Sequence, residues 1–180
     1  MYIVRADCAV GCVDVTDMKV LRDASACQFD IPIVSHLNWT QLEERLPADS
    51  HIFLADSLPC SENQDEPSIV NYTQPNYAEC SHAVLVVGGE TEGLSKAAHR
   101  LCTSSKWNAQ RIHIPMSLGI DSLNSAVSAS IILHEIWRRM MSVRDSTDLH
   151  QSSWSVVVTI VVTVWIDSVS KNLLLEHQRR

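Results

Sequence analysis

The chain has 180 residues, of which 46% are hydrophobic, and a formal net charge of −7. This length suits one α/β domain and excludes two domains of ordinary size. The negative charge argues against a protein covered with basic, nucleic-acid-binding surface. Residues 94–120 nevertheless lack acids and carry basic side chains that suit either a solvated helix face or phosphate contacts: Lys96, Arg100, Lys106 and Arg111.

The first half of the chain predicts alternating helices and strands. Residues 1–4 suit a strand fragment, and an apolar stripe in residues 17–27 predicts a helix with a polar cap. Residues 29–34 alternate as in an edge strand. An amphipathic helix is expected at residues 38–46 and a strand at residues 51–55. This order is that of a doubly wound parallel sheet.

The second half begins with a change in composition. Residues 56–79 are rich in Ser, Asn, Gln, Pro and acids, which predicts a surface loop or insertion. Residues 83–87 form a continuous apolar run with three valines, typical of a central strand covered on both faces. A helix from residue 94 and a strand at residues 111–114 are expected to follow.

A long last helix is predicted after a cap at Asp121 or Ser122. Its apolar positions spread around the helix, which predicts burial on more than one side. Residues 154–166 then form a β-branched run that is shorter than the roughly twenty residues of a membrane-spanning helix. An added strand or an aggregation-prone tail is therefore expected, and no membrane anchor.

The six cysteines form no C-x-x-C pair and lie at no zinc-ligand offset from a histidine. We therefore expect reduced thiols and no metal site. The first residues have the pattern of neither a signal peptide nor a transit peptide, so the chain is expected to begin inside a domain.

A glycine-rich loop, G-G-E-T-E-G at residues 88–93, follows the valine-rich strand. Its spacing is neither G-x-G-x-x-G nor that of a P-loop. Glu90 and Glu92 would repel a pyrophosphate and suit ribose hydroxyls or a cationic ligand such as S-adenosylmethionine. A glycine turn that binds nothing is the alternative.

Ser122 and Asn124 lie at the predicted start of the last helix. Such side chains commonly cap a helix, and the functional alternative is that they hold a substrate oxygen. His113, His134 and Met116 are read as packing or surface residues. No Ser/His/Asp set has a supporting motif.

Two segments resemble a known family. V-L-V-V-G-G-E-T-E-G and I-H-I-P-M-S-L-G-I-D-S-L-N-S-A-V-S-A-S-I-I-L-H-E closely resemble the second and third motifs of the SpoU/TrmH family of RNA ribose 2′-O-methyltransferases, in the SPOUT superfamily. G-C-V-D-V-T-D-M-K-V-L-R and F-D-I-P-I resemble its middle region, so the likeness covers residues 11–140. The D-S-L-N-S-A segment is most similar to the animal mitochondrial ribosomal-RNA branch. Mitochondria are therefore expected, with cytoplasm or nucleus as the alternative.

The resemblance implies an α/β parallel-sheet fold with a trefoil knot. It implies a homodimer that binds S-adenosylmethionine. The implied reaction is methylation of a ribose 2′-hydroxyl of RNA, and rRNA is the expected RNA. Glu90 and Asn124 stand at positions implicated in activity. The positions implied to bind the cofactor are Leu85, Val87, Gly88, Gly89, Ile112, Ile114, Pro115, Met116, Ser122 and Leu123.

The family's first motif, an Asn followed by an activating Arg, lies upstream of the part that matches residues 11–22. Only ten residues precede Gly11, and Arg5 is too close to it for that motif. The first strand and helix are therefore expected to be missing. The expected parts are an atypical start at 1–10, an incomplete methyltransferase domain at 11–144 with an insertion at 56–79, and a non-family tail at 145–180. The alternatives are a catalytically impaired cofactor-binding, RNA-binding or dimerising fragment, and an incompletely folded one.

Overall fold

The computed structural model describes residues 2–9, 14–56, 68–89, 93–117, 123–142 and 156–163. In the first and last of these ranges only the backbone and the side chains of Thr159 and Ile160 are described. The elements in chain order are β1 (Tyr2–Ala9), α1 (Met18–Asp23), β2 (Ile33–Leu37), α2 (Trp39–Arg45), β3 (Ser50–Ala55), β4 (Ile69–Asn71), β5 (His82–Gly88), α3 (Lys96–Thr103), β6 (Asn108–His113), α4 (Ser125–Ser142) and β7 (Val156–Thr163).

The strands form one seven-stranded parallel sheet in the order β2-β1-β7-β5-β3-β6-β4. The predicted parallel-sheet α/β fold class is thereby confirmed, and the trefoil knot stays a prediction. Of the two expectations for the valine-rich tail, the added strand is correct. β7 lies inside the sheet, between β1 and β5.

Local sequence explains the early helices. The Asp17 carboxylate accepts a hydrogen bond from Lys19 N at 2.8 Å and caps α1. Asn38 and Gln41 form a reciprocal capping box at the start of α2. The edge strand predicted at residues 29–34 is confirmed as β2, which lies at the edge of the sheet, but it begins four residues later, at Ile33, because Cys27–Phe29 form a 3-10 helix.

The surface loop predicted at residues 56–79 was wrong in its second half. Ile69–Asn71 form β4, which pairs with β6, and the Tyr77 side chain is completely buried. The Tyr77 ring packs edge-on against Phe53 with centroids 4.8 Å apart, and its hydroxyl donates to Tyr72 O. A strand of three residues is too short to show a period in the sequence. Residues 57–67 lie outside the described residues.

Two apolar clusters cover the two faces of the sheet. On one face α2 and α3 pack against the even-numbered side chains of β3 and β5, such as Leu54 and Val86. On the other face α4 and the segment around Tyr77 pack against the odd-numbered side chains, such as Phe53 and Leu85. β5 is buried along its whole length, as its valine-rich sequence predicts.

Within the described part of this chain, the long last helix is buried on one side only. Ile132, Ile136 and Met140 face the sheet, whereas Val127 and Trp137 are 48% and 49% exposed. The expectation of burial on more than one side was therefore wrong for the single chain. Among the described residues, no helix has the length and apolar character needed to cross a membrane.

Candidate active site

The candidate site lies where β5, β3 and β6 end. The two motif strands, β5 and β6, both pair with β3 and not with each other. One strand, β3, therefore separates the ends of the two motif strands. Since neighbouring strands lie about 4.8 Å apart, the two motif strands are separated by roughly 10 Å. The end of β3, at Ala55 and Asp56, lies between them.

The chain leaves β5 in a narrow glycine loop. Gly89 and Gly93 form an antiparallel bridge, in which Gly93 N donates to Gly89 O at 3.1 Å. Gly93 has a φ of +63°, which favours glycine. A Cβ atom at Gly88 would overlap the backbone of Gly93 and Leu94. The loop therefore needs glycine at both ends, because its two ends approach each other closely.

Three of the predicted cofactor positions lie in the core next to this loop. Leu85 and Ile112 are completely buried and Val87 nearly so, and all three belong to the cluster that packs against α4. Their backbones pair with neighbouring strands on both sides, so they support the strand ends from within the sheet. Ile114 packs against the same cluster at the end of β6. Beyond it, Pro115 is exposed and Met116 half-buried.

Asn124 is placed at the start of α4. Its side-chain Oδ1 accepts from Ala126 N at 3.0 Å and from Val127 N at 3.2 Å, so the capping interpretation is confirmed. This cap orients the amide at the helix N-terminus, and Leu123 beside it is half-buried. The predicted site residues Glu90 and Ser122, like the alternative cap Asp121, lie outside the described residues.

A buried ion pair at the same edge was not predicted. Arg111, on β6, donates from Nε and Nη2 to Asp56 Oδ2 at 3.1 and 2.9 Å, and both side chains are nearly inaccessible to solvent. His99 of α3 approaches the same oxygen at 3.9 Å. Arg111 is therefore a structural partner of Asp56, and its assignment to a solvated or phosphate-binding basic series was wrong. The sequence feature that could have indicated the burial of Arg111 is its position in a predicted strand, between Gln110 and the buried Ile112.

A second charged cluster ties α4 to the chain before β5. Glu135 accepts hydrogen bonds from Arg138 and Arg139, and Arg139 Nη2 also donates to Thr73 O at 3.1 Å. The hydrogen bonds from Arg138, together with that from Arg139, hold the pKa of the Glu135 carboxyl below its usual value against the opposing effect of burial. His134 packs near the Trp137 ring on the outer face of α4 and takes no part in the strand-end site.

Within the described ranges, no group of three or more His, Cys, Asp or Glu side chains is arranged to hold a metal ion. The described polar groups at the strand ends include the glycine backbone and the Asp56–Arg111 pair, and the Asn124 amide caps the start of α4. Such a set suits an organic ligand bound through backbone hydrogen bonds.

The chain is similar to known methyltransferases. The model of the SpoU rRNA Methylase family matches residues 4–134. Mitochondrial rRNA methyltransferase 3A of Danio rerio is 32% identical over 75% of this chain and 38% of its own length. The 23S rRNA (uridine(2479)-2′-O)-methyltransferase of Streptomyces viridochromogenes is 31% identical over 74% of this chain and 43% of its own. The chain thus spans about two fifths of the length of these relatives.

Solved structures agree with the fold. The SpoU methyltransferase AviRb of Streptomyces viridochromogenes, in complex with AdoMet, has a TM-score of 0.57 at 20% identity and covers 79% of this chain and 61% of its own. The AdoMet-bound rRNA methyltransferase of Sinorhizobium meliloti has a TM-score of 0.59 at 18% identity, over 77% and 56% of the two chains. The family match, which contains β5, β6 and the start of α4, confirms the resemblance found in the two motifs: the chain belongs to the SpoU rRNA methylase family.

Proposed function

We propose that the chain is an S-adenosylmethionine-dependent methyltransferase that modifies a ribose 2′-hydroxyl of RNA, and specifically of rRNA. The observation that carries this proposal is the closed glycine loop at Gly88–Gly93, which lies at the end of a buried strand inside the SpoU family match. The relatives named as rRNA methyltransferases, one of them a 2′-O-methyltransferase, support the reaction class.

The residues present fit the cofactor. At Gly88 a side chain would overlap the backbone of Gly93 and Leu94, so glycine at this position allows the loop to close at the end of β5. We assign cofactor contacts to these two glycines, to the β6 end from Ile114 to Met116, and to Ser122 and Leu123. Leu85, Val87 and Ile112 complete the set as buried residues of the two strands that end at the site. When bound, S-adenosylmethionine supplies the electrophilic methyl group.

The reaction is an attack of the ribose 2′-oxygen on that methyl group. Its rate depends on the alignment of the two reacting atoms and on removal of the hydroxyl proton. We assign Glu90 to orienting the sugar hydroxyl. Asn124, whose amide is oriented by its cap on α4, is assigned to positioning the same substrate. In this proposal the catalytic domain is formed by residues 11–144 together with β1 and β7, because β7 lies inside the same sheet although it is outside the family match.

The proposal extends to assembly and location. The outer face of α4 exposes Val127 and Trp137, two apolar side chains that a second copy would cover in a homodimer. The mitochondrial rRNA methyltransferases among the relatives support a mitochondrial location.

The test uses the purified chain, tritiated S-adenosylmethionine and rRNA. We expect tritium in RNA, and we expect the phosphodiester next to each labelled nucleotide to resist alkali, because a methylated 2′-oxygen no longer attacks it. Glu90→Gln and Asn124→Ala should lower transfer by about 100-fold, while calorimetry still detects cofactor binding. Asn108→Ala, at the opposite end of β6, is the matched control.

Two results would contradict the proposal. If titration with S-adenosylmethionine gives no heat above buffer in calorimetry, the chain does not bind the proposed cofactor. If the label appears in alkali-sensitive nucleotides, the methyl group has been transferred to a base and the ribose 2′-oxygen is not the acceptor. Cofactor binding without any transfer would leave a chain that binds and does not catalyse.

A further inference from the structure

β7 connects two parts of the sheet that have no other strand pairing with each other among the described residues. It pairs with β1 from Tyr2 opposite Val156 to Cys8 opposite Val162, and with β5 from His82 opposite Val157 to Gly88 opposite Thr163. β1 otherwise pairs only with β2 within the described ranges, and β5 only with β3. β7 also lies outside the family match, which ends at residue 134.

A buried polar chain crosses this junction. Ser50 Oγ lies 2.6 Å from His82 Nδ1, and His82 Nε2 lies 2.9 Å from Thr159 Oγ1. The three residues, one each from β3, β5 and β7, are at most 5% exposed. Ser50 Oγ donates its proton to Pro47 O at 2.7 Å, so it accepts from Nδ1–H. The Thr159 hydroxyl, which has a proton to donate, lies within hydrogen-bond distance of Nε2.

The sequence of β7 makes this contact the one that distinguishes alignments shifted by one to three residues, since the next hydroxyl in β7 is Thr163, four positions on. Val156–Thr163 reads V-V-V-T-I-V-V-T, so its apolar side chains are nearly equivalent and distinguish poorly between alignments. A shift by one residue would turn Thr159 to the other face. A shift by two would bring Val157 or Val161 to its place, and a buried His82 nitrogen would lose its donor, which is costly.

We propose that the gap between β1 and β5 is a binding slot for a parallel strand, that Val156–Thr163 of this chain is its occupant, and that Ser50 and His82 select the register by binding the Thr159 hydroxyl. The slot has two specificity elements. The backbone edges of β1 and β5 accept any extended parallel segment, and His82 requires a hydroxyl at one position of it. Thr159 acts as a positioning residue for the whole strand.

The test compares Thr159→Val with Thr159→Ser in the full chain. Valine keeps the shape and removes the hydroxyl, whereas serine keeps the hydroxyl and removes the methyl group. Amide hydrogen exchange is followed by mass spectrometry on peptides from β1 and β6. With valine we expect exchange in β1 to accelerate about tenfold, while exchange in β6, three strands from β7, is unchanged. With serine we expect exchange rates in β1 within about twofold of those of the parent chain.

Three outcomes would overturn the proposal. Valine and serine variants with the same exchange rates in β1 would show that the hydroxyl selects nothing. Equal acceleration in β1 and β6 would show a general loss of stability with no role at the slot. Protection of β1 that falls on dilution would identify the occupant as the strand of a second copy. A further variant, Ile160→Pro, should release β1 and leave β6 protected, because proline removes a ladder hydrogen bond in the middle of β7.

Discussion

Arg111 and Asp56 join the ends of β6 and β3 by two hydrogen bonds from one guanidinium to one carboxylate oxygen, in a place that water hardly reaches. Removing one member of such a pair leaves an uncompensated buried charge. We expect Asp56→Asn to lower the free energy of unfolding by about 3–5 kcal/mol, as measured by urea denaturation. The exposed Arg100→Gln on α3 should cost less than about 0.5 kcal/mol.

The double variant Asp56→Leu with Arg111→Met sharpens this prediction. Replacing both charges with apolar side chains should cost less than Asp56→Asn alone, because no charge is then left buried. A double variant less stable than the single one would show that the pair contributes through hydrogen bonds to the strand ends and not through charge compensation.

The glycine loop gives a second prediction. Gly88→Ala places a methyl group in the backbone of Gly93 and should lower stability by about 1–3 kcal/mol. It should also weaken S-adenosylmethionine binding at least tenfold in calorimetry, by about 1.4 kcal/mol. Gly93→Ala is the control, since its side chain meets open space and only its φ of +63° is strained. Equal effects of both substitutions on binding would contradict the close approach at Gly88.

The cluster at Glu135 gives a pH dependence. Its folded-state pKa is lowered by the hydrogen bonds from Arg138 and then Arg139, so its stabilisation is present above the unfolded-state pKa and is lost as pH falls through the folded value. We expect Glu135→Gln to cost about 1–2 kcal/mol near neutral pH. The gap between parent and variant should close on acidification below about pH 4. A gap that stays constant in urea denaturation would exclude the ionised carboxylate as its source.

Thiol labelling tests the surroundings of two cysteines. Burial, with a smaller contribution from Glu79, raises the pKa of the Cys80 thiol to about 11, whereas Cys27 is exposed. The thiolate is the reactive form. We therefore expect a disulfide reagent at mildly alkaline pH to modify Cys27 at least about 100-fold faster than Cys80, as read from peptide masses. In urea the two rates should converge, and comparable rates in the native chain would place Cys80 at the surface.

The exposed face of α4 gives the last prediction. If a second copy covers it, Trp137→Glu places a charge in an apolar interface and should convert the dimer to a monomer in light scattering. Met18→Glu, on α1, is the control because Met18 is 72% exposed and lies on another element. If the parent chain is monomeric at every concentration, the proposed homodimer is contradicted.

Sequence patterns predicted those elements whose causes are local. A few neighbouring residues are enough to predict a strand from the continuous valines of β5 and helix starts from the capping residues of α1 and α2. Ile69–Asn71 and Tyr77 could not be predicted in this way. Their burial depends on β6 and Phe53, which are distant in the sequence.

The candidate site shows the same division. The motifs predicted the glycine loop and the cap at Asn124, because a turn and a helix start are local events. The pairing of Arg111 with Asp56 joins residues 55 positions apart, and charge counting along the chain separated them into a basic and an acidic region. The insertion of β3 between the two motif strands likewise follows from sheet order, which no single segment encodes.

The position of β7 has a consequence for synthesis in the cell. Among the described strands, the one in the middle of the sheet is the last to leave the ribosome, so β1 and β5 emerge with open edges before the segment that pairs with both has been made. Such long-range closure folds slowly, and the exposed edges are templates for misassembly. Production of this chain should therefore depend on chaperones until residue 163 has been released.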